Sequence, residues 1–339
     1  QPSGSLSLAV GFAQSSGLIL SASISENNFM GTGKHVSIAV NNSSVNRIYN
    51  FSFTDPYYTV NGVSRGFGVF SRSTNANEAN ITDYTTDVLG GNLNYGIPIN
   101  EFDTFNFGID VEHLKVKLSD FPSDEIQGFT DEFGRQFTSL GLSASLAHDT
   151  RNRRVFPSKG GLFSITAESK IPGSELEFYK LNLRGRYYLP LTRRYVFSMN
   201  TEIGYGDGFG DFNDLPFFEN YFSGGVRSVR GYEDNTLGPR DTQNDPLGGS
   251  FRTVGNLEIV FPPPFIEKTN SVRLSTFFDV GNVFSGVREF SVNKLRTSVG
   301  LSATWLSPVG PLAISLAKTL NDKSGDETQA FQFTLGAPF

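Results

Sequence analysis

The side chains that most often carry out chemistry in proteins are scattered in this chain. Its three histidines, His35, His113 and His148, lie in different segments, and no HExxH motif is present. No GxSxG motif marks a serine nucleophile, and a chain without cysteine can form neither a thiol catalyst nor a Cys-ligated zinc site. The glycines of 204–210 follow a strand-like segment and lead into a loop, which is not the context of a phosphate-binding turn. We therefore expect no enzymatic activity, no metal site and no cofactor.

The composition narrows the class of protein. Charged residues make up 18% of the 339 residues, aromatic residues 13%, and 36 residues are glycine. Charged residues are scarcer and glycines more frequent than in ordinary soluble domains. No stretch approaches the ~18 consecutive apolar residues of a transmembrane helix. The acidic pI of 5.2 argues against nucleic acid as a partner. Because no signal-peptide pattern follows Gln1, we interpret the chain as a mature or trimmed fragment.

Strict alternation of apolar and polar residues is the dominant pattern. In 139–148, for example, leucine and alanine alternate with serine and glycine, which puts one kind of residue on each face of a strand. No segment sustains the spacing of an amphipathic helix. Sixteen alternating segments are predicted as strands: 4–12, 16–25, 33–41, 45–54, 62–73, 84–97, 102–117, 137–148, 160–171, 177–189, 194–205, 250–261, 271–281, 295–306, 311–320 and 328–336.

The length and polarity of these segments favour a membrane barrel over a soluble β-protein. Most are longer than the ~5–6 residues of a globular strand and suit a tilted membrane-spanning strand. Their polar faces are rich in Gly, Ser, Thr and Asn, as a watery lumen allows, and Phe and Tyr cluster near the ends. We predict an all-β fold, a 16-stranded antiparallel transmembrane β-barrel, as a single domain over 1–339 in a Gram-negative outer membrane.

One connection, 206–249, is much too long for a simple turn. It contains several aromatic residues, which favour packing, and the arginines Arg227, Arg230 and Arg240. On the adjacent predicted strands, parity directs Glu258 and Asp279 to the same inner face as each other, so a loop arginine could form charge-assisted hydrogen bonds there. Alternatively, the two carboxylates pair with wall arginines, Arg252 or Arg273, or are simply hydrated. Spacing alone leaves these alternatives open.

Several motifs resemble one family in order along the chain. The VRGY at 229–232 resembles the signature in the sixth extracellular loop of the BamA family of outer-membrane barrel-assembly insertases. Further segments that resemble this family are FMGTGKHV (29–36), FTDPYYTVNGVS (53–64), NYGIPINEF (94–102), FPSKGG (156–161), IPGSELEFYK (171–180), NSVRLSTFFDVGNVF (270–284), WLSPVGPL (305–312) and QAFQFTLGAPF (329–339). The resemblance therefore covers essentially the whole chain, and the family's periplasmic POTRA domains are absent from it.

The resemblance implies a function without bond chemistry. It implies that the barrel folds nascent outer-membrane β-barrel proteins and inserts them into the membrane. It further implies that extracellular loop 6 lies in the lumen, where the arginine of its motif (Val229, Arg230, Gly231 and Tyr232) pairs with Glu258 and Asp279. Many family members have phenylalanine in place of Tyr232. Implied partners are nascent barrel proteins, lipoproteins reached mainly through the missing POTRA domains, and the surrounding lipid and lipopolysaccharide, but no nucleic acid.

The working site implied by the resemblance is a lateral gate between the first and last strands. Gly336 and Pro338 disfavour strand pairing, so we expect a short, weak seam. An opened seam would expose the first strand to the last strand of a nascent barrel. Phe339 resembles the C-terminal signal of outer-membrane barrels; the alternative is an interfacial anchor. The gate residues are Gly4, Ser5, Leu6, Ser7, Leu8, Ala9 and Val10 on the first strand, and Phe331, Gln332, Phe333, Thr334, Leu335 and Gly336 on the last.

Two other classes of barrel share much of this pattern. A passive porin-like channel would have the same alternation, length and strand number, with an open lumen and no weak seam. A two-partner secretion transporter or the related TamA insertase would share the VRG-type loop. Steady conductance would favour the porin, whereas faster folding of an unrelated barrel would favour the insertase.

Overall fold

Sixteen β-strands close into one antiparallel barrel, and two short strands form a separate sheet. The structure is a computed structural model, and it describes residues 4–264, 271–307 and 310–336. The barrel strands are β1 (Gly4–Ala13), β2 (Gly17–Glu26), β3 (His35–Asn42), β4 (Asn46–Asp55), β5 (Ser64–Asn75), β6 (Tyr84–Pro98), β7 (Asp103–Leu118), β8 (Gln136–Asp149), β9 (Gly160–Lys170), β10 (Phe178–Pro190), β11 (Val196–Gly208), β13 (Phe251–Phe261), β14 (Val272–Phe284), β15 (Arg296–Ser307), β16 (Gly310–Thr319) and β18 (Phe331–Leu335). The separate sheet pairs β12 (Gly231–Tyr232) with β17 (Thr328–Gln329).

The alternation of the sequence becomes an apolar outside and a polar inside. Leu301 and Leu316 face each other on neighbouring strands and are both 58% exposed, whereas the adjacent pair of Ser302 and Ser315 faces the lumen. A soluble protein would bury such leucines, so this arrangement fits hydrocarbon outside the wall. The predicted strand number and the antiparallel barrel are confirmed, and the strand ends differ from the prediction by three residues or fewer.

The structure contains short helices that the sequence pattern did not indicate. One α-helix, α1 (Asp124–Phe133), lies in the connection between β7 and β8, and five one-turn 3-10 helices occur at 29–31, 77–79, 217–219, 287–289 and 292–294. The apolar face of α1 is formed by Ile126, Phe129 and Phe133, which is too few positions to produce a sustained periodicity. Within the described ranges, no helix has the length and hydropathy needed to cross a bilayer.

Helix α1 packs on a cluster of aromatic side chains supplied by the long connection between β11 and β13. Phe129 lies 5.2 Å from Phe217 and 6.0 Å from Phe212, measured between ring centroids. Ile126 is fully buried in the same cluster, beside Phe137 at the start of β8. The connection runs from 209 to 250, shorter than the predicted 206–249 at its start because β11 continues to Gly208. The connection between β11 and β13 is therefore an ordered segment that packs against the barrel wall.

Candidate functional site

A buried ion pair joins the long connection to the inner wall of the barrel. The Nε and Nη2 groups of Arg230 each donate to one carboxylate oxygen of Asp279, both at 2.7 Å. The backbone N–H of Arg230 donates to the same carboxylate at 3.1 Å, and Nη2 lies 2.7 Å from Oε1 of Glu258. Asp279 is 0% exposed and Arg230 only 7% exposed. Such a two-pronged, buried contact fixes the arginine in both position and orientation.

The wall holds these partners in place through strand pairing. Asn256 lies opposite Asp279 in the β13–β14 ladder, and its Nδ2 donates to Asp279 at 2.8 Å and to the carbonyl of Ser228 at 2.6 Å. The ring of Phe277, two residues before Asp279 on the same face, lies 3.5 Å from the guanidinium carbon of Arg230. Phe277 was not predicted as a site residue, because an apolar residue on a polar face breaks the alternation. Its position two residues before Asp279 could have indicated that its side chain faces the lumen as well.

The electrostatic environment keeps Arg230 charged. Burial alone would lower the pKa of its guanidinium, but hydrogen bonding to Asp279 and the charges of Glu258 and Asp279 outweigh burial and raise that pKa. The site is therefore a permanent cation held between two carboxylates. Of the three alternatives left open above, the structure brings Arg230 to Glu258 and Asp279, whereas Arg252 pairs with Glu202.

The rest of the motif contacts the last strand of the barrel. The backbone N–H of Gly231 donates to Oε1 of Gln332 at 3.2 Å, and Nε2 of Gln332 donates to the carbonyl of Tyr232 at 2.7 Å. Gly231 and Tyr232 also form strand β12, which pairs with Thr328 and Gln329 just before β18. Gly231 has a φ of +91°, and a Cβ there would lie 3.1 Å from the side chain of Ala317. The loop is thus tied to the segment that closes the barrel.

Two further motif side chains are completely buried. Val229 and Tyr232 are both 0% exposed and cluster with Leu237 of the same connection. The hydroxyl of Tyr232 has no hydrogen-bond partner among the described residues. A phenylalanine in its place would therefore lose no hydrogen bond to a described residue.

The seam between the first and last strands is very short. Among the described residues, β1 pairs with β18 at only two positions, Phe12 with Leu335 and Ala13 with Thr334, whereas β1 pairs with β2 at ten. Two further contacts support the join: the rings of Phe12 and Phe333 stack at 5.6 Å, and the N–H of Phe333 donates to the side chain of Gln14 at 2.9 Å. The wall is thus much weaker here than in the adjoining β1–β2 ladder.

Two glycines mark the place where pairing stops. Gly336 follows β18 with a φ of +71°, and its N–H donates to the carbonyl of Pro311 at 2.8 Å. A Cβ on Gly336 would lie 2.8 Å from the Cα of Gly11, and a Cβ on Gly11 would lie 2.7 Å from the carbonyl oxygen of Leu335. Strand β18 therefore ends at Leu335, one residue before Gly336, which was predicted to belong to the last strand. The predicted signal residue Phe339 lies outside the described residues.

The part of β1 beyond the seam is exposed on both faces. Every residue from Gly4 to Val10 is exposed, with Leu8 at 75%. In the described structure these residues pair with β2 on one side and have no strand partner on the other. A strand edge of this kind presents unpaired N–H and C=O groups, to which another strand can add.

The three histidines lie apart from one another in the structure. His35, His113 and His148 each contact a side chain in their own neighbourhood, namely Asn27, Thr138 and Asp103. No group of three or more His, Cys, Asp or Glu side chains that could hold a metal ion occurs in the part of the chain that the structure describes.

Comparison with known proteins finds relatives that belong to one superfamily of outer-membrane proteins. The family model of the Omp85 superfamily domain matches residues 28–339. The outer membrane protein assembly factor BamA of Neisseria meningitidis is 32% identical over 99% of this chain and 47% of its own length. BamA of Nitratidesulfovibrio vulgaris is 28% identical over 100% of this chain and 42% of its own length. This chain thus spans about half the length of these relatives.

Solved structures show the same barrel. The crystal structure of BamA from Haemophilus ducreyi lacking POTRA domains 1–3 matches with a TM-score of 0.92 and 25% identity, over 99% of this chain and 70% of that one. CdiB from Acinetobacter baumannii matches with a TM-score of 0.62 and 15% identity, over 97% of this chain and 58% of that one. The second likeness concerns the fold alone.

Proposed function

Because the chain belongs to the Omp85 superfamily, we propose that it is the membrane barrel of an assembly factor that folds nascent β-barrel proteins and inserts them into the outer membrane. The barrel itself lies in a Gram-negative outer membrane. The observation that carries the proposal is the seam, where two strand pairs close the wall and residues 4–10 of β1 lack a second strand partner in the described structure. The proposal also draws on the similarity to BamA of Neisseria meningitidis.

In the proposed mechanism, the seam opens laterally and β1 acts as a template. Opening breaks only the pairs at Phe12 and Ala13 together with the contacts around them. Each hydrogen bond lost has a net value of about 0.5–1.5 kcal/mol, so the cost is small compared with separating β1 from β2. The last strand of a nascent barrel then adds to the free edge, and the alternation along β1 sets the register.

The buried loop motif holds the closing segment in this proposal. Gln332 connects β18 to Gly231 and Tyr232, and Arg230 fixes the same stretch of loop to β13 and β14. The loop therefore supports β18 from inside while β1 remains free to take a new partner. The proposed partners are nascent barrel proteins, together with lipoproteins that contact regions beyond this barrel, and outer-membrane lipid and lipopolysaccharide.

We predict that Gln332→Leu loosens the contact between the loop and β18. The substitution leaves the N–H of Gly231 without its side-chain partner, at about 1–3 kcal/mol, and the carbonyl of Tyr232 keeps the N–H of Gly225 as its donor. The temperature at which the folded barrel loses its fast gel mobility should fall. Gln127→Leu is the control, because Gln127 bonds Asp131 on the exposed side of α1. An equal shift in both variants would contradict the role assigned to Gln332.

The proposed function is tested by reconstitution. The protein that contains this barrel is placed in liposomes, and the folding rate of an unrelated outer-membrane barrel is followed by its gel mobility. We expect faster folding than in empty liposomes or in liposomes that contain an unrelated porin. No acceleration, combined with a steady single-channel conductance, would instead indicate a passive channel.

A further inference from the structure

A large cavity opens at the end of the barrel where β1 begins and β18 ends. Its volume is about 1180 Å³, above the ~300–1,000 Å³ of usual small-molecule sites. Its walls are the turns 150–159 and 191–195, the segment 262–264, and the inward-facing ends of β10, β11, β13, β14 and β15. We call this space the turn-end cavity. Its lining also includes Pro311 of β16, whose carbonyl accepts the N–H of Gly336, and Glu258 of the loop site.

The charge of the turn-end cavity is strongly one-sided. Among the described residues that line it, seven are arginine and one, Glu258, is acidic, which gives a formal charge of 7 − 1 = +6. Glu258 already pairs with Arg230. The described lining of the cavity therefore carries an excess of positive charge.

Five of these seven arginines have no ion pair among the described residues. Arg151 pairs with Asp149, whereas the side chains of Arg153 and Arg186 donate to a carbonyl and an amide oxygen. Arg154, Arg193 and Arg194 are exposed at the turn tips, and their guanidinium groups make no hydrogen bond or ion pair with the described residues. Guanidinium groups held near one another repel, and a carboxylate placed between them relieves the repulsion through paired hydrogen bonds. These arginines are thus available to bind anions.

The remaining lining is aromatic and proline-rich. Tyr188, Tyr195, Phe156 and Phe261 line the cavity together with the prolines at 262–264. The rings of Tyr195 and Phe261 lie 5.9 Å apart. Aromatic and proline surfaces take up apolar side chains, and arginines stack on aromatic rings. The lining therefore suits a ligand that carries both negative charge and aromatic groups.

We propose that the turn-end cavity is a docking site for an acidic polypeptide segment that contains aromatic residues. A polypeptide is favoured over a lipid headgroup because one wall consists of inward-facing strand ends, including Arg186 and Glu258, which the barrel separates from the hydrocarbon outside. The proposal goes beyond the assembly function, because it assigns a partner to a site other than the β1 edge. Binding here would hold that partner at the mouth of the lumen.

The test measures binding of a defined peptide to the detergent-solubilised protein. The probe is a fluorescein-labelled peptide in which Asp and Glu alternate with Phe, and its matched control has Asn and Gln at the acidic positions. The variant carries Arg154→Gln, Arg193→Gln and Arg194→Gln. The control variant carries Lys115→Gln, Arg135→Gln and Arg288→Gln, which remove the same charge at the opposite end of the barrel. Fluorescence anisotropy gives the affinity.

We expect the acidic peptide to bind the unaltered protein and the control variant alike. Affinity should fall on the order of tenfold in the turn-end variant, and binding should weaken with added salt, which screens exposed charges. Equal weakening in both variants, or equal binding of the uncharged peptide, would overturn the proposal. So would a turn-end variant that keeps its peptide affinity but loses affinity for micelles containing phosphatidylglycerol, since that result identifies a lipid headgroup site.

Discussion

Arg230→Ala will detach the loop motif from the barrel wall and impair assembly. The substitution leaves the carboxylate of Asp279 fully buried without its cation, and Glu258 loses the same partner. Breaking a buried pair in this way costs about 3–5 kcal/mol. We expect a large fall in the thermal midpoint of the heat-modifiable gel band, cleavage of the loop by protease, and poor growth of cells that depend on the variant.

Arg240→Ala is the matched control for this prediction. Arg240 lies in the same connection and pairs with Glu327 at 2.8 Å, but Glu327 is 45% exposed. Such a pair contributes about 0–1 kcal/mol, and Arg240 also donates to the carbonyls of Asn244 and Thr236, so the control should lose much less stability than Arg230→Ala. Combining Arg230→Ala with Asp279→Ala should recover part of the lost stability, because the fully buried carboxylate is then gone and only the partly exposed Glu258 lacks its cation. Normal growth and an unchanged gel band in Arg230→Ala would contradict the role of the ion pair.

Locking the seam with a disulfide will block assembly reversibly. Ala13 and Thr334 lie opposite each other in the β1–β18 ladder, where Cα atoms are ~4.5–5.5 Å apart, within the range that a disulfide spans. Because the chain has no cysteine of its own, Ala13→Cys with Thr334→Cys introduces a single possible bond. Under oxidising conditions the gate stays closed and assembly should stop. A reductant should restore it.

The control for the lock places the same chemistry in a ladder that does not open. Ala144 and Ala167 pair across β8 and β9, one of nine pairs there. Ala144→Cys with Ala167→Cys should therefore leave activity unchanged, both oxidised and reduced. Full activity of the oxidised seam variant, with the disulfide verified by mass spectrometry, would refute lateral opening at this seam.

The barrel could be predicted from the sequence because hydrocarbon and lumen impose opposite demands on alternate residues. The same parity put Glu258 and Asp279 on one inner face, where the structure brings Arg230 to both. Parity reports only a face, so it could not distinguish a loop arginine from a wall arginine such as Arg252. That choice depends on how the loop folds, which no local pattern encodes.

Three other features of the structure could not be predicted, because the sequence pattern that forms each of them is too short to recognise. Helix α1 has three apolar positions on one face and is stabilised by packing on the aromatic cluster of another connection. Strands β12 and β17 contain two residues each, and they pair although they are far apart in the chain. Gln332 was predicted as a gate residue, but its bonds to the loop could not be inferred from its place in an alternating strand.

The most direct test of the account is to locate the last strand of a substrate during assembly. Single cysteines at Ser5, Ser7 and Ala9 of β1 are combined with cysteines along the last strand of a stalled outer-membrane barrel, and disulfides are scored in cells. We predict that moving the β1 cysteine by two residues moves the crosslinked position on the substrate strand by two residues as well, in the opposite chain direction, as one antiparallel register requires. Absence of these crosslinks, with β1 still joined to β18 while the substrate folds, would contradict templating by β1.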